Sequence, residues 1–251
     1  MSLLETDVKK AVEKVRTSRW VTAFTGAGIS VESGIPPFRG TSGIWNRYNP
    51  QVLEIDYFRS HPKESWEVIR DLFLSKFEKA QPNAAHSVLA AWEKRGLLKA
   101  LITQNIDNLH HRAGSQKVVE YHGNSRFLQC LKCHAKIEVS SINLEVVPPN
   151  CSLCQGLLKP DFVFFGEAIP QQALRDSLLA MERTDCLLII GTTGEVYPAA
   201  DLPRIAKEKG GYIIEINPEP SSFTYSLSDL YLPLPAGKAL PLIEDHLLKY
   251  G

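Results

Sequence analysis

The sequence predicts an α/β protein, a parallel, doubly wound sheet that carries a second, smaller domain. Three observations support this. Apolar runs of the fully buried type, "WVTAFTG", "KALITQN", "KVVEYHG", "DCLLIIG" and "YIIEIN", read as strands. Helical stretches such as "AAHSVLAAWEKRG" and "PQQALRDSLLAMER" fall between several of them, the second with Pro170 at its start, where a helix tolerates proline. Two stretches break the alternation: Gly40 to Gln81, rich in Tyr, Trp and charge, and a segment holding four cysteines. Both read as insertions that build the smaller domain over the sheet.

At 251 residues the chain is long enough for a sizeable core. Lys plus Arg and Asp plus Glu balance at 28 each, so no net charge points to nucleic acid or an acidic membrane surface. No apolar stretch reaches the length of a membrane span. The opening "MSLLETDVKKAVEKVRTSRW" is amphipathic and charged, without the apolar middle of a signal peptide. A soluble, cytoplasmic protein is the expectation, and in that compartment paired cysteines suggest metal before disulfide.

Cys130 and Cys133 form one Cys-x-x-Cys pair, and Cys151 and Cys154 form another 17 residues later, a spacing suited to a four-cysteine zinc ribbon. Two knuckles complete a tetrahedron with no open position, so the metal would be structural. His122 and His134 are then not needed as ligands. Cys186, inside "DCLLIIG", reads as a core residue. The ribbon lacks a basic footprint: Arg126, Lys132 and Lys136 are offset by Glu138 and Glu145, and no aromatic cluster interleaves them.

Ligands of such a sheet collect at the carboxyl ends of its strands. The first end is "TGAGIS", where Gly26 and Gly28 would let backbone N–H groups approach a pyrophosphate. Its glycine spacing is not G-x-G-x-x-G, and a plain tight turn explains it as well. The second, "TQNIDNLH", puts Gln104, Asn105 and Asp107 within four residues, readable also as a turn and helix cap. The third, "GTTGEVYPAA", offers Gly191, Thr192 and Thr193, and the fourth, "INPEP", offers Asn217 and Glu219 to ribose hydroxyls. Together they argue for a nucleotide.

These pieces, "GAGIS" with "SGIPPFRG", "TQNID", "YHG", the two cysteine pairs, "FGE", "GTTGEVYPAA" and "INPEP", resemble the sirtuins, NAD-dependent protein lysine deacylases. They stand in family order from about Val21 to Ala236. The resemblance implies a Rossmann-type NAD-binding domain from segments 1–39, 82–122 and 158–251. The smaller domain would take a helical part from 40–81 and a zinc-binding part from 123–157. NAD+ would be the co-substrate, one Zn2+ structural, and acetyl-lysine proteins or peptides the partners, with no nucleic acid and no membrane.

By the same resemblance His122 is the general base. In the family chemistry the acyl oxygen attacks the nicotinamide ribose and displaces nicotinamide. The histidine then helps a ribose hydroxyl attack the imidate carbon, and water finishes the reaction, giving deacylated lysine and O-acyl-ADP-ribose. A neutral imidazole suits that step. Asn105 would orient the ribose or its water, and Ile106 and Asp107 would meet the nicotinamide carboxamide. Arg39 would meet phosphate and Phe38 would cover the reacting sugar. Gly26, Ala27, Gly28, Val31, Gln104, Gly191, Thr192, Thr193, Asn217, Pro218, Glu219 and Ala236 would line the dinucleotide. Val163, Phe164, Gly166, Glu167, Glu195 and Val196 would form the acyl-lysine tunnel and peptide groove. His110, His111 and His134 have no such support and read as ordinary polar residues.

The chain departs from the family pattern at Tyr121, where leucine usually precedes His-Gly, at Pro37, and at Glu195 on the peptide-pairing segment. Sirtuins that prefer succinyl or malonyl lysine carry a Tyr and an Arg three residues apart in a small-domain helix. The matching stretch "HPKESWEVIRDLFL" places Ile69 and Leu72 there, so acetyl is the expected substrate and succinyl a poor one. An NAD-dependent dehydrogenase, an ADP-ribosyltransferase or NAD glycohydrolase, and a zinc-ribbon nucleic-acid binder are the competing classes. The missing G-x-G-x-x-G disfavours the first and the charge balance the last.

Overall fold

The computed structural model describes residues 3–38, 43–74, 77 and 79–250. Six strands form one parallel sheet: β1 (Val21–Thr25), β2 (Leu98–Thr103), β3 (Val118–Glu120), β7 (Cys186–Ile190), β8 (Tyr212–Ile216) and β9 (Leu230–Leu232). Their order is β3-β2-β1-β7-β8-β9, every pairing parallel. Numbered within the sheet, this is the 3-2-1-4-5-6 order of a dinucleotide-binding fold, whose crevice opens where β1 meets β7. The five sequence-predicted strands are all present. Leu230–Leu232 is the addition, too short to give a periodic signal of its own.

The strands read as continuous apolar runs because both faces are covered. Ala23, Leu188 and Ile214 pack with Val8, Leu89, Trp92 and Ile243 from α1 (Leu3–Thr17), α4 (Ala84–Lys94) and α8 (Ala236–Tyr250). The alternate residues Phe24, Leu187 and Ile213 pack with Met181 of α6 (Gln171–Arg183) and with Leu202 and Ala206 of α7 (Leu202–Glu208). A period of two in the strands thus feeds two separate helix layers.

The smaller domain has a core of its own. Strands β4 (Gly123–Cys130), β5 (Lys136–Glu138) and β6 (Leu158–Phe162) make an antiparallel sheet ordered β5-β4-β6. Helices α2 (Ile55–Ser60) and α3 (Pro62–Ile69), followed by a π-helical turn over Arg70–Leu74, pack Phe58, Trp66, Ile69 and Leu72 against Leu128, Leu158, Phe162 and Phe164. The Trp66 indole N–H donates to Leu158 O at 2.9 Å, tying the helical part to the ribbon. The sequence division assigns residue 158 onward to the large domain, but β6 pairs with β4 in the small sheet. A parallel sheet has no place for it: β6 returns antiparallel to β4 straight after the second cysteine knuckle.

Candidate active site

At the switch point the chain is packed backbone against backbone. Gly26 N donates to Ile190 O at 2.9 Å and Gly28 N to Gly191 O at 2.8 Å, so the ends of β1 and β7 are stitched together. A Cβ on Gly28 would lie 2.5 Å from Gly191 Cα, and Gly191 holds a left-handed φ of 63°. Side chains are excluded there by contact as well as by conformation. Beyond Gly26 the chain turns into a short 3-10 helix, Ala27–Ser33, rather than an α-helix. The Asn83 amide holds that helix in place by donating to Ile29 O at 2.7 Å and Ser33 Oγ at 3.0 Å.

The end of β2 supplies the polar cluster. Asn105 is buried, and its amide donates to Gly26 O at 3.1 Å and Ser30 Oγ at 3.2 Å. Ser30 in turn donates to Asp107 at 2.6 Å, and Asp107 also caps Leu109 N at 2.9 Å, the first residue of α5 (Leu109–Arg112). Asp107 therefore caps the start of α5 with one carboxylate oxygen while the other holds Ser30. Burial raises its pKa, against the opposing pull of the Ser30 hydrogen bond. Ile106 is fixed through its carbonyl, which accepts from Ser125 Oγ at 2.6 Å and Ser125 N at 3.1 Å. Gln104 reaches across to Thr192 Oγ1 at 3.1 Å, and the Asn217 amide donates to Thr192 O at 3.1 Å. The four strand ends therefore converge on one crevice.

His122 lies just past β3, which ends at Glu120. Its Nδ1 is 3.1 Å from Gln104 O. A carbonyl only accepts, so Nδ1 carries the proton and Nε2 keeps its lone pair. Burial lowers the His122 pKa, outweighing the hydrogen bond to Gln104 that acts to raise it, which favours the neutral ring. The neighbouring Tyr121 is wholly buried on the large-domain side, its ring 5.3 Å from the imidazole in an edge-on contact.

Other predicted positions divide between wall and rim. Phe38 packs 5.5 Å from Trp45, and Ala236 is buried at the start of α8, where Glu32 accepts from Gly237 N at 2.7 Å. Val31, Thr193, Glu195, Pro218 and Glu219 are exposed, and Val196 is half-buried. Val163 N donates to His122 O at 2.8 Å, and Phe164 is buried against Phe58, while Gly166 is exposed and Glu167 half-buried beyond them. Arg39 lies outside the described residues.

The four cysteine sulfurs lie within 4.8 Å of one another, with Cys130–Cys154 at 3.4 Å and Cys133–Cys151 at 3.8 Å. A tetrahedral zinc with Zn–S near ~2.3 Å needs sulfurs roughly 3.8 Å apart, so the set fits that ion. The Cys133 and Lys132 N–H groups each lie 3.4 Å from Cys130 Sγ, backbone donors aimed at a sulfur as around a thiolate ligand. Cys186 is buried in β7, away from the four.

Sequence reading missed several residues that hold the site. His110, expected as an ordinary polar residue, is buried, with Nε2 3.0 Å from Thr25 Oγ1 and its ring 4.8 Å from buried His86. Thr25 donates to Thr103 at 2.9 Å, and Thr103 accepts from Asn105 N at 3.1 Å. Glu215, fully buried in β8, accepts from Ser221 at 2.6 Å, Ser228 at 2.8 Å, Thr224 at 2.9 Å and Asn217 at 3.1 Å. One carboxylate thereby folds the loop after the fourth strand end. A charge inside the buried run "YIIEIN" was the available signal, because such a group demands partners.

Known proteins resemble the chain over most of its length. The Sir2 family model matches residues 26–198. A relative from Thermococcus kodakarensis, named NAD-dependent protein deacylase, is 44% identical over 238 residues, covering 92% of each chain. A solved Sir2 enzyme with a deacetylated peptide and 3′-O-acetyl-ADP-ribose superposes with a TM-score of 0.91 at 38% identity, covering 95% of this chain and 98% of that one. A Sir2 homologue in complex with NAD gives 0.89 at 41% identity, covering 96% and 94%. The chain belongs to the Sir2 family, the NAD-dependent protein deacylases. Its co-substrate is NAD, and its cysteine cluster suits a structural zinc.

Proposed function

We propose that this enzyme removes acetyl groups from protein lysines in the cytoplasm, passing them to ADP-ribose, and acts poorly on succinyl-lysine. The observation that carries the acyl preference is the helix pair Ile69 and Leu72. Both are buried, at 0% and 1% exposure, in the apolar cluster with Phe58, Trp66, Ile106 and Phe164. Between them Arg70 is turned outward, its guanidinium donating to Glu145 O at 3.2 Å and Leu144 O at 3.5 Å on the ribbon. It is therefore committed away from the acyl side. A succinyl carboxylate entering this wall would lose its water without gaining a partner, a cost of several kcal/mol.

Within that reading His122 accepts a proton at Nε2, and Gln104 O holds the ring in the tautomer that leaves this nitrogen free. Asn105, anchored by Gly26 O and Ser30, orients what lies between the nicotinamide pocket and His122. Asp107 and Ile106 recognise the carboxamide. Val163, Phe164, Gly166 and Glu167 receive the acyl-lysine and its flanking backbone on one side, Glu195 and Val196 on the other. No helix among the described residues is long and apolar enough to cross a membrane.

The test is kcat/KM for one peptide sequence bearing acetyl- or succinyl-lysine, at saturating NAD. Acetyl should be favoured by a factor on the order of 10² or more, the equivalent of about 3 kcal/mol. A succinyl peptide turned over with the higher kcat/KM would overturn the assignment.

A further inference from the structure

Lys159 lies on the edge strand β6 of the small sheet, paired with Gln129 of β4, and is only 4% exposed. An ammonium has three donors, and three oxygens meet this one: Phe162 O at 2.7 Å, Pro160 O at 2.9 Å and Glu167 Oε2 at 3.0 Å. The face of the Phe164 ring covers it with the centroid 4.2 Å from Nζ. All of these groups come from the eight residues that follow Lys159, so the chain wraps around its own cation. The same Glu167 oxygen accepts from Phe164 N at 2.8 Å and closes the loop.

The wrapped segment is tied to the site at both edges. Val163 N donates to His122 O at 2.8 Å, and Phe165 exchanges backbone bonds with Leu53 O at 2.8 Å and Ile55 N at 3.0 Å. Gly123, with φ of 71°, allows the close approach: a Cβ there would collide with the backbone of Asp161 and Phe162. The ammonium is thus the hub of the backbone that carries Val163, Phe164, Gly166 and Glu167.

We propose that Lys159 is a positioning residue, an internal cation that holds segment 160–167 in the shape that receives the acyl-lysine peptide and steadies the backbone of His122. The inference rests on the reading above that this segment is the peptide wall. Its physical basis is desolvation. Without the cation, two carbonyls and a carboxylate point at one another in a site shielded from water, and the loop relaxes by opening. The effect is local, because the four-cysteine cluster and the Trp66–Leu158 bond tie the rest of the ribbon through other residues.

The experiment compares wild type, Lys159→Met, Lys159→Met with Glu167→Gln, and Lys159→Arg. For each, the KM for an acetyl-lysine peptide, the Kd for ADP-ribose, zinc content, and amide exchange over 160–167 are measured. Lys159→Met should raise peptide KM by about tenfold or more while ADP-ribose Kd and zinc stay within about twofold. Exchange over 160–167 should quicken. Lys159→Arg, which keeps a cation beside Glu167 and Phe164, should recover most of the peptide affinity. The double variant removes the stranded carboxylate, so it keeps the test open if Lys159→Met fails to fold, and its peptide KM should stay raised. Wild-type peptide KM in either Met variant, or an equal loss of ADP-ribose binding, would overturn the proposal. Failure of the wild-type enzyme to deacylate would instead strike at the reading of the site.

Discussion

Strand Val21–Thr25 is buried at every position, whereas Gly123–Cys130 buries only Asn124, Leu128 and Cys130. The first lies inside a three-layer sandwich, and its stability comes from apolar area on two faces. The second belongs to a sheet of three short strands in which nine of the sixteen residues are not buried, beside a cysteine cluster placed to hold a metal. The difference teaches where each kind of chemistry sits. The apolar sandwich carries the strand ends of the proposed dinucleotide site, and the segment that follows the small sheet carries the proposed peptide wall. His122 and Gly123 are the junction between them.

Zinc removal should break the comparison most severely. Structural zinc contributes on the order of 10–16 kcal/mol of apparent binding free energy to small modules. Cys151→Ser, or chelation, should abolish turnover and deprotect amides in 123–162 while those of 186–216 stay protected. Ordered ribbon amides and full turnover in zinc-free protein would show that the small sheet stands without metal.

The large domain should fail at its backbone contacts. Gly191→Ala places a side chain at a left-handed position against Gly28 and Ile29. Strain of about 1–3 kcal/mol adds to the collision, so the loss should exceed the ~4 kcal/mol that marks exceptional substitutions. Urea denaturation and ADP-ribose binding check this together. An unchanged ADP-ribose Kd would mean that the two strand ends do not shape the dinucleotide site.

A smaller effect should appear in acid. His86 is buried, and burial lowers its pKa from 6.5 to about 4. Above pH 6.5 both folded and unfolded forms are neutral, and no pH dependence arises from this ring. Between 6.5 and about 4 only the unfolded chain binds the proton, so stability falls as pH falls, by about 3 kcal/mol in all. His110, lowered by burial as well, acts in the same direction. Urea midpoints at pH 7 and pH 4.5 should differ less in His86→Asn than in wild type. Equal slopes would contradict the assignment.

Much of the fold was legible because buried parallel strands leave an unmistakable apolar run, as "DCLLIIG" does. The cysteine spacing announced the cluster, and the strand-end motifs marked the crevice residues by position. What stayed hidden depends on partners distant in sequence. Lys159 and Glu215 take their roles from carbonyls, a carboxylate and hydroxyls that the local sequence pattern does not pair with them. His110 lies among polar neighbours in "NLHHRAG", yet it turns inward to Thr25 while His111 faces Glu120. Strand β6 escaped because its pattern, "LKPDF", has a proline and two charges and pairs only with the small sheet.

The measurement that bears most directly on the account is His122→Ala, read for three quantities on one preparation: acetyl-peptide turnover with NAD, ADP-ribose affinity, and zinc per chain. The account places the ring as a neutral base held by Gln104 O, outside the metal cluster. It predicts a loss of turnover of about 10²–10⁴-fold, with ADP-ribose binding and zinc retained. Turnover close to wild type, or loss of zinc with the side chain, would contradict it.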